Sequence, residues 1–174
     1  MTVEARAKAI TLLISDVDGV LTDGRIEFDD QGGEHKQYHI RDGLGIKLWQ
    51  QTGHRFGIVT GRNSPTVARR AAELGVSIVR QGAEDKLAAI NELIAELNVT
   101  PQEIAYIGDD LPDLPAIRFV GLGIAVSDAS ADVRDAALWV TKAGGGHGAV
   151  RELIETILKV QGRWGKLLSA YDGR

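Results

Sequence analysis

The chain has 174 residues, a formal net charge of −4 and no cysteine. That length suits one domain, residues 1–174, with a core large enough to need no staples, and the missing thiols exclude disulfides and thiolate-held zinc. The acidic balance gives no reason to expect nucleic acid, and no run approaches the ~20 apolar residues of a membrane span.

The first ten residues lack the apolar centre of a signal peptide, so the expected setting is the reducing cytoplasm and the expected partner a small molecule. The first expected strand covers residues 11–15 and leads into Asp16-Val17-Asp18-Gly19-Val20-Leu21-Thr22. An Asp just past a buried strand sits where open α/β sheets bind ligands. Asp16 there can attack phosphorus, and Asp18 can protonate a leaving alcohol and later activate water. Asp-Gly is also a common turn dipeptide, and alone the motif fits a turn equally well.

Arg25-Ile26-Glu27-Phe28 and Glu34 to Ile40 flank the turn Asp29-Asp30-Gln31-Gly32-Gly33, the pattern of a β-hairpin. This flap, about residues 25–40, is expected to project over the acidic motif. A lone hairpin is marginal in water, so packing against another subunit, hence an oligomer, is expected.

A helix at 42–52 and a strand at 56–60 follow, the strand ending at Thr60 before Gly61. A hydroxyl beside freed backbone N–H groups can hold a phosphate oxygen, although strand-terminal threonines are often structural. The helix at 64–74 has Ser64 as N-cap, Pro65 at its first position and Gly75 at its end. After a strand at 76–79 comes a helix at 84–97, striped by Leu87, Ala88, Ile90, Leu93, Ile94 and Leu97. Lys86 near its start has the wrong sign for the helix dipole, which hints at another task such as pairing with phosphate and Asp16.

The next strand, 104–108, runs into Gly108-Asp109-Asp110-Leu111-Pro112-Asp113. Asp110 and Asp113 also read as an N-cap and first-turn acid, which leaves Asp109 at the strand end unexplained. If the two acidic strand ends are neighbours, their carboxylates need a cation between them, and hard oxygen ligands suit Mg²⁺. Helices at 112–118, 130–136 and 148–161 alternate with strands at 122–126 and 138–141, and Arg163 to Arg174 reads as a tail. The alternation predicts an α/β, doubly wound parallel sheet. Trp49, Trp139 and Trp164 read as core, interface or tail residues.

The ordered set Asp16-x-Asp18-x-Val20, Thr60, Lys86 and Gly108-Asp109-Asp110-x-x-Asp113 resembles the haloacid dehalogenase superfamily of phosphohydrolases. The resemblance implies a Rossmann-like sheet with Asp16 as nucleophile and Asp18 as acid/base. It also implies Mg²⁺ on Asp16, Asp109 and the Asp18 carbonyl, phosphate on Thr60 and Lys86, and support from Asp110 and Asp113. No insert is long enough for a cap domain, and the hairpin is the one candidate lid.

Within the superfamily, residues 16–24, 41–46, 60–62, 81–86 and 145–152 resemble the capless 3-deoxy-D-manno-octulosonate 8-phosphate phosphatase group. This implies a Mg²⁺-dependent phosphomonoesterase of lipopolysaccharide sugar biosynthesis, working through an aspartyl-phosphate. It also implies a homotetramer whose neighbouring subunits close the site. Carried over by position, His39, Ile40, Arg41, Asp42 and Gly43 touch substrate at the flap base, with Lys47, Arg62, Arg70 and Lys86. Arg suits that task because its planar fork binds carboxylates bidentately, whereas helical Arg69 and Arg70 read equally as solvated residues. Lys47 and His147 stand where the group has Arg, and Pro112 where a polar residue is frequent.

Two alternatives are weaker. A phosphatase of a nine-carbon keto-sugar acid 9-phosphate is expected to carry Glu, not Arg62, after Thr60-Gly61. A phosphoryl-receiver domain would carry its acceptor Asp on a later strand, with no acid/base two residues beyond.

Overall fold

A computed structural model describes residues 2–173. Six short strands form one parallel sheet: β1 (Leu12–Ser15), β4 (Arg55–Val59), β5 (Ile78–Arg80), β6 (Ile104–Gly108), β7 (Leu122–Ala125) and β8 (Trp139–Val140). Their order is β5-β4-β1-β6-β7-β8. β1 and β6 are buried along their whole length, so their sequences are continuous apolar runs rather than alternating ones. Leu13 sits opposite Phe56 on one side and Ala105 on the other, so β1 is the central strand.

Between one sheet strand and the next in the chain runs a helix that packs back onto the sheet, and another follows β8. These are α2 (Ile40–Gln51), α3 (Pro65–Leu74), α4 (Lys86–Leu97), α5 (Leu114–Phe119), α6 (Ala131–Ala136) and α7 (Ala149–Val160), with α1 (Val3–Ala9) and α8 (Trp164–Ser169) at the two ends. This is the doubly wound α/β class expected, with no cap domain inserted among the described residues. The core gathers Leu12, Leu13, Ile14, Ile58, Ile107 and Ile124 from the sheet with Trp49, Ile90, Leu93, Leu153 and Ile157 from the helices. The chain leaves β1 for β4 and β5 on one side and reaches β6, β7 and β8 on the other. The carboxyl ends of β1, β4 and β6 therefore border the switch point where such sheets bind ligands.

Two expectations are corrected, and one helix is added to those expected. The hairpin exists, but β2 (Glu27–Phe28) and β3 (Glu34–His35) have two residues each, and Ile40 belongs to α2. The tail contains α8, held because Trp164 is buried beneath the guanidinium of Arg151, 5.1 Å from the ring centre; Arg174 lies outside the described residues. Polar α1 gives no periodic signal, and it is fixed by Thr2 capping Ala5 and by Arg6 donating to the Gly121 carbonyl at 2.7 Å. No helix among the described residues is long and apolar enough to cross a membrane.

Candidate active site

Asp16 is the first residue past β1, and its backbone N–H still donates to Ile107 of β6. That bond keeps the turn tied to two strands at once. The Asp16 side chain is almost fully buried: Oδ1 accepts from Val17 N at 2.7 Å and Oδ2 from Lys86 Nζ at 2.5 Å. Lys86 is the first residue of α4, where Asp85 caps the helix by accepting from Ala88 N. Its Nζ also donates to Asp113 Oδ1 at 2.6 Å.

Asp113 is fully buried and accepts on every side. Besides Lys86, Tyr106 Oη donates to Oδ1 at 2.6 Å, and the N–H groups of Asp109 and Asp110 donate to Oδ2. With so many donors, no oxygen of this buried carboxylate is left without a hydrogen-bond partner. Asp113 is thus a strut between α4 and the β6 turn. Tyr106, missed by the sequence reading, extends that strut into the core; its place in an apolar strand gave no polar signal.

Burial pushes the Asp16 carboxyl up to about 6 despite Lys86, and the Asp113 charge adds to the rise. Burial also pushes Asp109 up to about 8, reinforced by the charges of Asp113 and Asp16. Burial alone would lower the Lys86 ammonium, but Asp16 and Asp113 outweigh it and raise its pKa. Carboxylate oxygens of Asp16, Asp109 and Asp113 approach within 4.8 Å of one another. Asp113 spends its lone pairs on protein donors, which leaves Asp16 and Asp109 free to turn oxygen toward a cation. A hard divalent ion with oxygen ligands fits that donor set and relieves the like-charge crowding.

Gly19 explains how the β1 turn comes so close. Its φ is +83°, and a Cβ there would lie 2.0 Å from Asp109 Oδ2. From the other side Gly145 presses on the same turn, with a virtual Cβ 1.8 Å from the Gly19 carbonyl oxygen. Asp128 and His147 hold the Gly145 loop, Asp128 accepting from Gly145 N and His147 Nδ1 donating to the Gly145 carbonyl at 2.6 Å.

Thr60 follows β4 and is buried, with its N–H donating to Arg80 and its carbonyl accepting from Ala83. Asp16, Asp18, Thr60, Gly61, Arg62, Lys86 and Pro112 line one open cleft of about 330 Å³. Larger concavities, about 670 and 690 Å³, lie beside α8 and α7, yet neither gathers buried charged groups. Chemistry rather than size marks the site.

The expected substrate set does not stay together in one chain. Arg62 reaches the cleft, but its Nη2 donates to Glu34 Oε2 at 2.6 Å. Ile40, Arg41 and Lys47 lie on the exposed face of α2. Asp42 and Gly43 are buried instead, and Asp42 Oδ1 accepts from Arg151 N at 2.7 Å, capping α7. Asp42 is thereby taken out of the cleft, because the first turn of α7 needs an acceptor. His39 and Arg70 line a small recess with Asp42 and Gly43 that Asp16 does not border; Arg70 lies over the Tyr38 ring, 5.6 Å from its centre, and pairs with Glu73. Asp110 is exposed at the rim. Ser64 does precede α3, but its hydroxyl donates to Glu34 at 2.8 Å instead of capping the helix.

Residues 76–153 match the haloacid dehalogenase-like hydrolase family. A 3-deoxy-D-manno-octulosonate 8-phosphate phosphatase of Escherichia coli K12 is 43% identical over 159 residues, 91% of this chain and 85% of that protein. The chain belongs to the haloacid dehalogenase-like hydrolases. The phosphatase of the same name from Yersinia pestis is 46% identical over 90% of this chain and 83% of its own length. Among solved structures, the Moraxella catarrhalis 3-deoxy-D-manno-octulosonate 8-phosphate phosphatase, in complex with magnesium ion, phosphate ion and KDO, superposes with a TM-score of 0.96. It is 42% identical, with 98% of each chain covered.

Proposed function

We propose that this protein hydrolyses the phosphomonoester of 3-deoxy-D-manno-octulosonate 8-phosphate, releasing the free sugar acid and inorganic phosphate, as a step of lipopolysaccharide sugar supply in the cytoplasm. The observation that carries the reading is the buried Asp16–Lys86–Asp113 chain beside Asp109, at the carboxyl ends of β1 and β6. In this reading residues 1–174 act as one phosphatase domain, with the flap at about 25–40 and the tail at about 163–174.

An Asp16 oxygen attacks phosphorus, and the bond from phosphorus to the sugar oxygen breaks. The departing oxygen takes the proton of the Asp18 carboxyl, leaving an aspartyl-phosphate and an Asp18 carboxylate. That carboxylate then removes a proton from water as the water oxygen attacks phosphorus, which restores Asp16 and frees phosphate. Lys86 and Thr60 face the phosphoryl oxygens, and Lys86 holds the Asp16 carboxylate in line. Asp16, Asp109 and the Asp18 carbonyl would hold Mg²⁺, with Asp113 supporting them from the interior and Asp110 from the rim. When bound, the ion neutralises charge on the phosphoryl group.

The exposed apolar side chains Ile26, Phe28, Ile40 and Leu44 flank the flap and the start of α2. Four such groups on neighbouring elements support burial against a second copy of this chain, and in a tetramer Arg41, Lys47 and Arg70 would serve a neighbour's substrate. Arg62 supports the eight-carbon substrate over the nine-carbon one. Against a receiver domain stands Asp18, which occupies the acid/base place. The test is phosphate release with Mg²⁺ from a panel of sugar phosphates. Asp16→Asn is expected to abolish turnover, and Arg62→Glu to weaken the eight-carbon substrate chiefly through KM. Full activity in Asp16→Asn removes the nucleophile.

A further inference from the structure

The flap carries one residue that neither the motif pattern nor the reaction just described employs. Lys36 follows β3 on a hairpin whose Glu27 and Phe28 face solvent, yet its side chain has no exposed surface. A lysine at such a place ordinarily keeps its ammonium in water and lays only its stem on the protein. Here it turns inward and pays the desolvation of a full charge, which is tolerable only against opposite charge.

Two carboxylates meet it. The Lys36 ammonium donates a hydrogen bond to Asp18 Oδ1 and lies 3.3 Å from Glu34 Oε1. Glu34 is itself anchored, accepting from Arg62 Nη2 at 2.6 Å and from the Ser64 hydroxyl at 2.8 Å. The chain Asp18–Lys36–Glu34–Arg62/Ser64 thus ties the flap to the acid/base on one side and to the loop after Thr60 on the other. The second Asp18 oxygen is differently placed: Arg62 Nε stands 3.9 Å from Oδ2, beyond a hydrogen bond, and is the one salt-bridge partner of that oxygen among the described residues.

We infer that Lys36 is a positioning residue for Asp18, fixing Oδ1 so that Oδ2 is the oxygen that carries the proton to and from the reacting groups. Without that tether, Asp18 is a flexible side chain on a turn, free to swing toward solvent or Arg62. Glu34 holds Lys36 in turn, so flap closure and acid/base alignment are a single event. The inference rests on the phosphatase reading, because it assigns a partner to that reaction's acid.

The readout is dependence on the leaving group. An alkoxide departing from a sugar phosphate needs the Asp18 proton, whereas the phenolate of p-nitrophenyl phosphate leaves without one. The value of kcat/KM reports steps up to ester cleavage, where that difference lies. Wild type, Lys36→Met and Lys36→Arg are compared with Mg²⁺ on 3-deoxy-D-manno-octulosonate 8-phosphate and on p-nitrophenyl phosphate. Lys36→Met is expected to lose roughly tenfold to hundredfold on the sugar phosphate and far less on the aryl ester, since positioned acids contribute on that scale. Lys36→Arg, which keeps a donor in reach, is expected to recover part of the loss.

An equal loss on both esters, or none on either, overturns the inference. Should wild type prefer a different alkyl phosphate, the substrate assignment fails, and the same ratio is read on that ester. A wild type inactive on every phosphomonoester overturns the hydrolase reading and Lys36's role with it.

Discussion

The two halves of the cleft are built by different means. The floor, Asp16, Lys86, Asp113 and Asp109, grows from strand and helix ends, and three of its four side chains are buried. The roof, Lys36, Glu34 and Arg62, comes from a two-residue-stranded hairpin and a loop, and Arg62 is partly exposed. On the floor each charge has its position imposed by the backbone of a packed element, so a missing partner leaves a buried, uncompensated charge. On the roof the groups hold one another through side chains alone, and solvent screens what is lost around Arg62. The floor is therefore expected to resist motion and tolerate no substitution, whereas the roof can open to admit substrate and its variants should alter kinetics more than stability.

The largest contrast is expected from Lys86→Met. It strands Asp16 and Asp113 beside each other without a cation, so turnover should fall by roughly a thousandfold or more, and stability by about 3–5 kcal/mol in denaturant titration without Mg²⁺. Retained stability would show that Lys86 is not the tie that makes the floor rigid. Next comes Gly145→Ala, which touches neither charge nor substrate. Its methyl would meet the Gly19 carbonyl oxygen at 1.8 Å, so the Asp16–Asp18 turn has to shift. A kcat loss of roughly tenfold to hundredfold is expected from a displacement of about 1 Å. Unchanged kcat would mean that the turn is set from the β1 side alone.

The smallest effect concerns pH and the metal. Asp16 and Asp109 rise from the ordinary 3.8 to about 6 and about 8 in the fold. Groups whose acid form is favoured by folding make the native state bind more protons than the unfolded one. Their contribution is present below 3.8 and is lost as pH rises to about 8. In chelator, the melting temperature should decline across the upper part of that window, and Mg²⁺ should remove the decline. Glu34, held at about 2 chiefly by Arg62, works with the opposite sign. Its contribution is present above the ordinary 4.5 and lost as pH falls toward about 2, a small effect because the group lies near the surface. A chelated protein whose melting is flat from neutral to mildly alkaline pH would break the contrast between the crowded floor and the screened roof.

The floor was also the legible half. Apolar runs such as Leu12-Leu13-Ile14 and Ile104-Ala105-Tyr106-Ile107 announce buried parallel strands because both faces of the sheet are covered, and an Asp two residues after each marks its carboxyl end. Lys86 was legible as a charge of the wrong sign at a helix start. Of the roof, the hairpin and Arg62 were legible, but Lys36 and the roles of Tyr106 and Asp42 were not. Nothing local distinguishes Lys36 from any hairpin lysine, Tyr106 from any strand aromatic, or Asp42 from an acid facing substrate. Their partners lie 18, 7 and 109 residues away in the chain.

The sequence by itself determined the alternation of strands and helices, the acidic strand ends and the chemistry those groups can perform, because periodicity, turn residues and charge act over a few neighbouring positions. Only the tertiary structure decided which carboxylates share a cation's space, which acid Lys36 secures and why Asp42 serves α7 rather than the cleft. Those outcomes follow from desolvation and hydrogen-bond satisfaction, and both depend on what the whole fold brings within about 3 Å of each polar atom.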